Sequence, residues 1–219
     1  MKSVLALIVL AGVAQSASGA VVYNDRAAWS LASGAGAAQE TFEGYLPGVY
    51  ASPFGFISGL FAGTTNASVQ MAVEAGNPNF YGFQNTTPAG AQYLRFQDGT
   101  GAHSVGLAVF GGGLTAMGLD LSGFQPTANG VGGLTINLYD GALQLISSDF
   151  YPSATDFNAQ FVGVTSAIPF AGMELVFAPV GGGTADFVAI DDVTWVVPTP
   201  GAAALLGMGG LLAARRRRA

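Results

Sequence analysis

The chain has 219 residues, no cysteine and a formal net charge of −6 at pH 7. Without cysteine it has no thiol nucleophile and no zinc site built on thiolates. Most of its seven basic residues lie near the ends, so residues 21–197 hold two basic and 13 acidic residues and carry a net charge of −11. An acidic body of this kind excludes nucleic-acid binding, which depends on Lys and Arg.

The first 20 residues have the three parts of a secretory signal peptide. Lys2 precedes an apolar run from Val4 to Val13, and small residues follow up to Ala20. The run is too short to span a membrane comfortably, and a small-x-small triplet is typical of a cleavage site. We therefore predict a signal helix over residues 1–20, cleaved after Ala20 or, alternatively, after Ser16. A buried core helix is disfavoured because the run has no polar face.

The body begins with a short strand, and one short helix follows from Asp25 to Leu31, with Asn24 or Asp25 as its N-cap. No later segment predicts a helix of ordinary length. Strand-like runs take its place: Glu40–Phe42, Phe56–Phe61, Val69–Val73, Tyr93–Gln97, Ser104–Phe110, Leu114–Leu121, Leu134–Tyr139, Leu143–Ser147, Phe161–Val164, Met173–Ala178 and Phe187–Val197.

Several of these runs alternate between apolar and polar residues with the period of two that a half-buried strand requires. In the run 134–139, for example, Leu134, Ile136 and Leu138 share the face that we expect to be buried. Glycine-rich turns separate the runs, and Asp140-Gly141 is the clearest hairpin signal. Many short strands joined by such turns predict an all-β chain. We expect a single β-sandwich over residues 21–196, jelly-roll-like and not a barrel.

The strongest candidate site in the sequence is the acidic pair Asp191 and Asp192, in the last strand-like run. In a regular strand, Asp191 would share a face with Phe187, Val193 and Trp195, and Asp192 would share the other face with Val188, Ile190 and Val196. Both faces are largely apolar, so at least one carboxylate is expected to point toward protein. An unpaired buried carboxylate is costly, and calcium, which binds carboxylate and carbonyl oxygens, is one remedy. The alternative is that Asp191 or Asp192 ends the ladder by accepting backbone N–H groups.

This end of the body resembles the last strand of jelly-roll carbohydrate-binding modules. In several such families, a Phe-Glu near the N-terminus and an Asp-Asp-Val near the C-terminus share a structural calcium. The chain has both motifs, Phe-Glu-Gly at 42–44 and Ile-Asp-Asp-Val at 190–193. The resemblance implies a calcium site formed by Glu43, Asp191 and Asp192.

Aromatic residues are frequent in the first half of the body. Exposed aromatic rings in a shallow groove are suited to stacking against sugar rings, and a place in the hydrophobic core is the alternative for each of them. The residues concerned are Phe54, Phe56, Phe61, Phe80, Tyr81, Phe83, Tyr93 and Phe96.

The sequence does not favour catalysis, and we predict no catalytic residue. A triad would need His103, the only histidine, which we expect to be a surface or edge residue. Glycoside hydrolysis needs only two carboxylates, and Glu43, Glu74 and Glu174 are available. Nothing in their spacing brings them together, and Lys and Arg are scarce as groups to orient a substrate.

The C-terminal segment contains Pro198, Thr199 and Pro200, then an uncharged stretch over residues 201–214, then four arginines. A helix of residues 201–214 would be about 21 Å long, against a hydrocarbon core of about 30 Å, so spanning is marginal. The arginines predict that this end stays cytoplasmic and that the body lies outside. They are Arg215, Arg216, Arg217 and Arg218.

This order of parts, over residues 197–219, resembles the bacterial PEP-CTERM sorting domain. Thr199 departs from that family, which usually has Glu between the prolines. The resemblance implies recognition by an exosortase-like membrane protease, and transient or permanent anchoring by a short transmembrane helix. It also implies delivery to the cell surface or extracellular matrix of bacteria that make extracellular polysaccharide.

Taken together, these features predict an exported, non-catalytic surface or matrix protein that associates with extracellular polysaccharide. One alternative is a specific carbohydrate-binding module with structural calcium, which requires exposed aromatic residues on one sheet face. The less favoured alternative is a secreted glycoside hydrolase, which requires two acids facing each other in a cleft.

Overall fold

The computed structural model describes residues 19–34, 37–76, 82–97 and 99–198. These residues form 14 β-strands, one α-helix and one 3₁₀ turn, Gly181–Gly183. The prediction of an all-β chain with one short N-terminal helix is confirmed. The strands are β1 (Val21–Tyr23), β2 (Ala38–Glu40), β3 (Gly48–Tyr50), β4 (Phe54–Gly55), β5 (Leu60–Thr64), β6 (Gln70–Ala75), β7 (Gln92–Gln97), β8 (His103–Val109), β9 (Leu114–Ser122), β10 (Gly133–Tyr139), β11 (Leu145–Pro152), β12 (Gln160–Phe170), β13 (Gly172–Phe177) and β14 (Val188–Val196).

Two antiparallel sheets form the predicted sandwich. The eight-stranded sheet has the order β1-β12-β9-β14-β7-β6-β3, with β2 also paired to β14, and the six-stranded sheet has the order β11-β10-β13-β8-β5-β4. One large hydrophobic cluster draws residues from both sheets. The alternation predicted for β10 is confirmed, because Leu134, Ile136 and Leu138 are each at most 1 % exposed.

The helix α1 (Arg26–Ser33) covers part of the outer face of the eight-stranded sheet. Its N-cap is the predicted Asp25, whose Oδ1 accepts a 2.7 Å hydrogen bond from the Ala28 N–H. Trp29 seats the helix, since it is buried and its Nε1 donates to the Val164 carbonyl at 3.0 Å. A Cβ at Gly163 would lie 2.7 Å from the Trp29 ring, so only glycine leaves room for it.

The strand predicted at 56–61 is wrong in its first four residues. Residues 56–59 form the turn between β4 and β5, in which the Phe56 N–H donates to the Leu60 carbonyl at 2.7 Å. The turn ends at Gly59, whose φ of 89° suits glycine and breaks the run of apolar residues.

The last strand, β14, contains a bulge that the alternating pattern did not predict. The pairing of β14 with β9 shifts register between Asp191 and Thr194, and Asp192 has a φ of 47°. A bulge adds one residue and reverses the parity of the strand. The prediction that Asp191 shares a face with Val193 and Trp195 is therefore wrong, because those two side chains lie in the core.

The predicted signal peptide and most of the predicted C-terminal tail lie outside the described residues. Within the part of the chain that the structure describes, no helix is long and apolar enough to cross a membrane.

Candidate functional site

Asp191 lies on the outer face of the eight-stranded sheet, beneath the loop over residues 84–91 that precedes β7. Its Oδ2 accepts hydrogen bonds from the backbone N–H groups of Thr86 at 2.7 Å and Thr87 at 3.0 Å. The side chain is 1 % exposed, and this burial raises the pKa of Asp191 to about 6, against the opposing effect of the amide donors. Acceptance of backbone N–H groups is the alternative to calcium binding at Asp191, and these two hydrogen bonds are of that kind.

Asp192 occupies the bulge and binds the same loop. Its Oδ1 accepts from the Thr87 hydroxyl at 2.7 Å and from Gln39 Nε2, on β2, at 2.8 Å. In a regular strand, two successive carboxylates would point to opposite faces of the sheet. The bulge with its left-handed backbone at Asp192 allows both Asp191 and Asp192 to reach the same loop.

Glu43 binds the other end of this loop. Its Oε1 accepts from Asn85 Nδ2 and from the backbone N–H groups of Ala91 and Gln92, each at 2.8 Å. The fit is close, because a Cβ at Gly90 would lie 2.2 Å from that Oε1. Glu43, Asp191 and Asp192 thus hold one loop between them.

The structure brings the three predicted metal ligands to adjacent loop residues. Among the described residues, however, no group of three or more His, Cys, Asp or Glu side chains is arranged to hold a metal ion. Calcium at Glu43, Asp191 and Asp192 stays a prediction. It is tested by comparing the melting temperature in calcium and in a chelator, since a bound ion raises it.

Of the predicted sorting motif, only Pro198 is described, as an exposed residue that follows β14. Thr199, Pro200 and the four arginines lie outside the described residues.

A different site, which the sequence did not single out, is a groove on the outer face of the six-stranded sheet. It has a volume of about 420 Å³. Two rows of paired residues cross its floor, and their central positions are small apart from Glu174. One row is Asn137-Glu174-Gly106-Gly63 and the other is Tyr139-Gly172-Ala108-Phe61.

Glu174, on β13, is the charged centre of the groove floor. Its Oε1 accepts from the Ser104 hydroxyl at 2.6 Å, and its Oε2 accepts from Tyr139 at 2.7 Å and from Asn137 Nδ2 at 3.0 Å. Partial burial acts to raise the pKa of Glu174, but the three hydrogen bonds together outweigh it and lower the pKa. The groove therefore holds a fixed, ionised acceptor near neutral pH.

Apolar and aromatic side chains flank this acceptor. Phe61 is 41 % exposed and packs across Gly55, where a Cβ would lie 2.8 Å from its ring. Tyr139, at the opposite side of the floor, is half-buried, and Leu143 in the next turn is 80 % exposed. The arrangement offers ring faces, a hydrogen-bonding centre and backbone that a ligand can approach closely.

Of the eight aromatic residues named from the sequence, the structure describes six, and four of these pack inside the protein. Phe56, Phe83, Tyr93 and Phe96 are buried, whereas Phe61 is partly exposed in the groove. Phe54 is half-buried, and Phe80 and Tyr81 lie outside the described residues. The period of two in β10 does place Tyr139 on the outer face, but no sequence signal showed that this face is concave.

The three acids considered for hydrolysis lie at separate places. Glu74, on the eight-stranded sheet, is 3.1 Å from Arg95 Nε, while Glu174 is on the other sheet and Glu43 holds the loop described above. The structure does not bring these three together into one cleft.

His103 is not the surface or edge residue that the sequence predicted. It is 2 % exposed and stacks on Phe177 with ring centroids 5.1 Å apart. Burial lowers the pKa of His103 to about 4, so the imidazole is neutral at physiological pH.

No protein-family model matches the sequence, and no curated protein matches it. Solved structures that are similar to the chain include a family 29 carbohydrate-binding module complexed with mannohexaose, at 11% identity over 61% of this chain and 79% of that chain, with a TM-score of 0.38. TmCBM61 in complex with β-1,4-galactotriose is 15% identical over 66% of this chain and 92% of that chain, with a TM-score of 0.39. The K2 cleaved adhesin domain of Lys-gingipain is 8% identical over 75% of this chain and 100% of that chain, with a TM-score of 0.44.

Proposed function

We propose that the chain is a non-catalytic polysaccharide-binding protein whose ligand lies in the groove on the outer face of the six-stranded sheet. The observation that carries the proposal is the combination of Phe61 and Tyr139 on either side of a floor that contains Glu174. Aromatic faces contribute buried area with defined geometry, while a carboxylate accepts strong, directional hydrogen bonds from hydroxyl groups.

The shape of the floor supports a ring-shaped ligand. Gly106 has no atom within 4 Å of the position that a Cβ would occupy, so the space above it is open. Its neighbours across the sheet are Gly63 and Glu174, so a ring placed here would meet the carboxylate from the side. Close approach to backbone is a common use of glycine in strands.

Charge favours an uncharged polymer over an acidic one. Residues 21–197 carry a net charge of −11, and one of these negative charges, that of Glu174, lies inside the groove. Like charges brought together in a partly dry site repel one another, so uronic-acid or sulfated polymers would bind poorly.

Export and surface sorting form the second part of the proposal, and the sequence alone supports them. The signal peptide over residues 1–20 would deliver the sandwich outside the membrane, and the PEP-CTERM-like tail would present it to an exosortase-like protease. The matrix or cell surface reached in this way is where a polysaccharide ligand would be met.

The binding proposal is tested with the purified full chain on an array of neutral and acidic polysaccharides. We expect retention on one or more neutral polymers that is lost in Phe61→Ala. Phe150→Ala is the matched control, because Phe150 is 49 % exposed on the same sheet but does not line the groove. Equal retention of all three proteins, or no retention on any polymer, would contradict the proposal.

A further inference from the structure

Both ends of the described body leave the sandwich on one side, which we call the exit end. Four paired residues on adjacent strands form one row across the eight-stranded sheet: Val196 at the end of β14, Ala116 on β9, Thr165 on β12 and Val21 at the start of β1. The first and last strands therefore end in one row, about 14 Å apart at the usual strand spacing. The exit end also contains the turns over residues 56–59, 110–113, 140–144 and 166–171, which the same pairings bring together.

These turns form one connected surface. The Phe110 N–H donates to the Gly59 carbonyl at 3.0 Å, and the Ala171 N–H donates to the Tyr139 carbonyl at 2.8 Å. Val109 also donates to the Ala171 carbonyl, at 3.4 Å. Side chains on neighbouring turns are thus held in place relative to one another.

Large apolar side chains project from the exit end. Among the described residues, five large hydrophobic side chains are at least 80 % exposed, and three of them lie here: Ile57 at 93 %, Phe110 at 83 % and Leu143 at 80 %. Ile168 is 43 % exposed, and Val197, where the chain leaves β14, is 46 % exposed. Exposed apolar patches of this kind mark contact with a membrane or another protein.

Charge is nearly absent from the same surface. The four turns contain a single charged residue, Asp140, although the body has a net charge of −11. The Asp140 Oδ1 accepts from the N–H groups of Ala142 and Gln144, each at 2.8 Å, so it closes its own turn. The other 12 acidic residues of the body lie outside these four turns.

The sequence that follows the exit end favours a lipid bilayer as the partner of this surface. Val197 and Pro198 lead into residues 201–214, which carry no charge, and then into four arginines. A segment of this composition is suited to a bilayer with arginines at the headgroup level. Because the chain enters that segment directly from the exit end, a bilayer holding the segment would be next to Ile57, Phe110 and Ile168.

We propose that the exit end rests on a lipid bilayer, with Ile57, Phe110 and Ile168 inserted among the headgroups. The groove takes Leu143 and Ala171 from the turns of this end, and it extends along the sheet face as far as Thr65 and Ser104, where a polymer would be farthest from the bilayer. Ile57, Phe110 and Ile168 do not line the groove, so their insertion does not depend on what the groove binds.

The experiment uses the full chain, in which the absence of cysteine allows a single label. Ile57→Cys and Phe110→Cys are labelled with a polarity-sensitive fluorophore and reconstituted into phosphatidylcholine vesicles. Val131→Cys is the control, because Val131 is 54 % exposed but lies in the turn before β10, at the opposite end of the sandwich. Melting temperatures near that of the unsubstituted chain establish that the labelled proteins are folded.

On addition of vesicles, we expect the fluorescence emission of labels at positions 57 and 110 to shift to shorter wavelength. We expect bromine-labelled lipid to quench the fluorescence of these labels at least about twofold more than that of the label at position 131. Labels at 57 and 110 that stay as water-exposed as the label at 131 would overturn the proposal. A blue shift that appears without vesicles and grows with protein concentration would also overturn it, because the occupant would then be a second copy of the chain.

Discussion

The Tyr139 hydroxyl donates a 2.7 Å hydrogen bond to Oε2 of Glu174, across the pair of strands that forms the centre of the groove. This bond couples the ring that would stack on a ligand to the carboxylate that would accept its hydroxyl groups. It raises the pKa of Tyr139 and contributes to the lowered pKa of Glu174.

Tyr139→Phe removes this hydrogen bond and keeps the aromatic ring. We expect the pKa of Glu174 to rise, because one of the three donors that stabilise its ionised form is lost. Carbon-13 NMR of the Glu174 carboxyl across a pH titration measures the change. Tyr23→Phe is the control, since Tyr23 contacts Thr165 on the other sheet, and an unchanged Glu174 titration in Tyr139→Phe would contradict the account.

Asp191→Ala is expected to release the loop that Asp191 holds. The N–H groups of Thr86 and Thr87 lose their acceptor, which corresponds to about 1–3 kcal/mol for a buried donor left unpaired. Hydrogen exchange at these two amides should accelerate. Asp192→Ala is the matched control, because the Asp192 side chain accepts from side chains of this loop and of β2, and the Thr86 amide should be much less affected.

Asp186 is expected to make the protein less stable as the pH rises. It is completely buried, and burial raises its pKa to about 7, while the Gln125 and Phe187 N–H groups act against the shift. Between about pH 4 and pH 7 the folded state keeps a proton that the unfolded state has released, so the free energy of unfolding falls with rising pH.

Asp186→Asn should abolish the fall in the free energy of unfolding that ionisation of Asp186 causes as the pH rises. The variant should melt close to the unsubstituted chain at pH 4.5 and above it at pH 8, because Asn resembles the protonated carboxyl. Asp149→Asn, at a half-buried position where the carboxylate accepts from Ser147, serves as control. A difference in melting temperature that does not change with pH would show that Asp186 is already ionised in the fold.

His103 is expected to make the protein less stable as the pH falls. Burial lowers its pKa in the folded state to about 4, against 6.5 in the unfolded chain. Between about pH 6.5 and pH 4 the unfolded chain binds a proton that the folded state does not, so the free energy of unfolding falls with falling pH. His103 is the only histidine, so its imidazole resonance can be followed by NMR without assignment. We expect a midpoint near pH 4, and a midpoint near 6.5 would mean that the ring is accessible to water.

Local patterns in the sequence predicted much of this architecture. The alternation in β10, the Asp25 cap of α1 and the Asp140-Gly141 hairpin each depend on a few neighbouring residues, and all three are present in the structure. The bulge at Asp192 was not predictable in this way, because it depends on how β14 pairs with β9 and β2 together.

The candidate site depended even more on long-range packing. Glu174 and Tyr139 are 35 positions apart, and nothing in their spacing shows that they face each other. Gly63, Gly106 and Gly172 lie on three different strands, and only the pairing of those strands brings them together in the groove. The burial of His103 likewise follows from its place in an inner strand of the six-stranded sheet.

Isothermal titration of the full chain with the polysaccharide that the array selects tests the central claim most directly. We expect saturable binding to the unsubstituted chain, an affinity lower by roughly tenfold, or about 1.4 kcal/mol, in both Phe61→Ala and Tyr139→Ala, and little change in Phe150→Ala. Unchanged affinity in Phe61→Ala and Tyr139→Ala would show that the ligand binds elsewhere and would contradict the account.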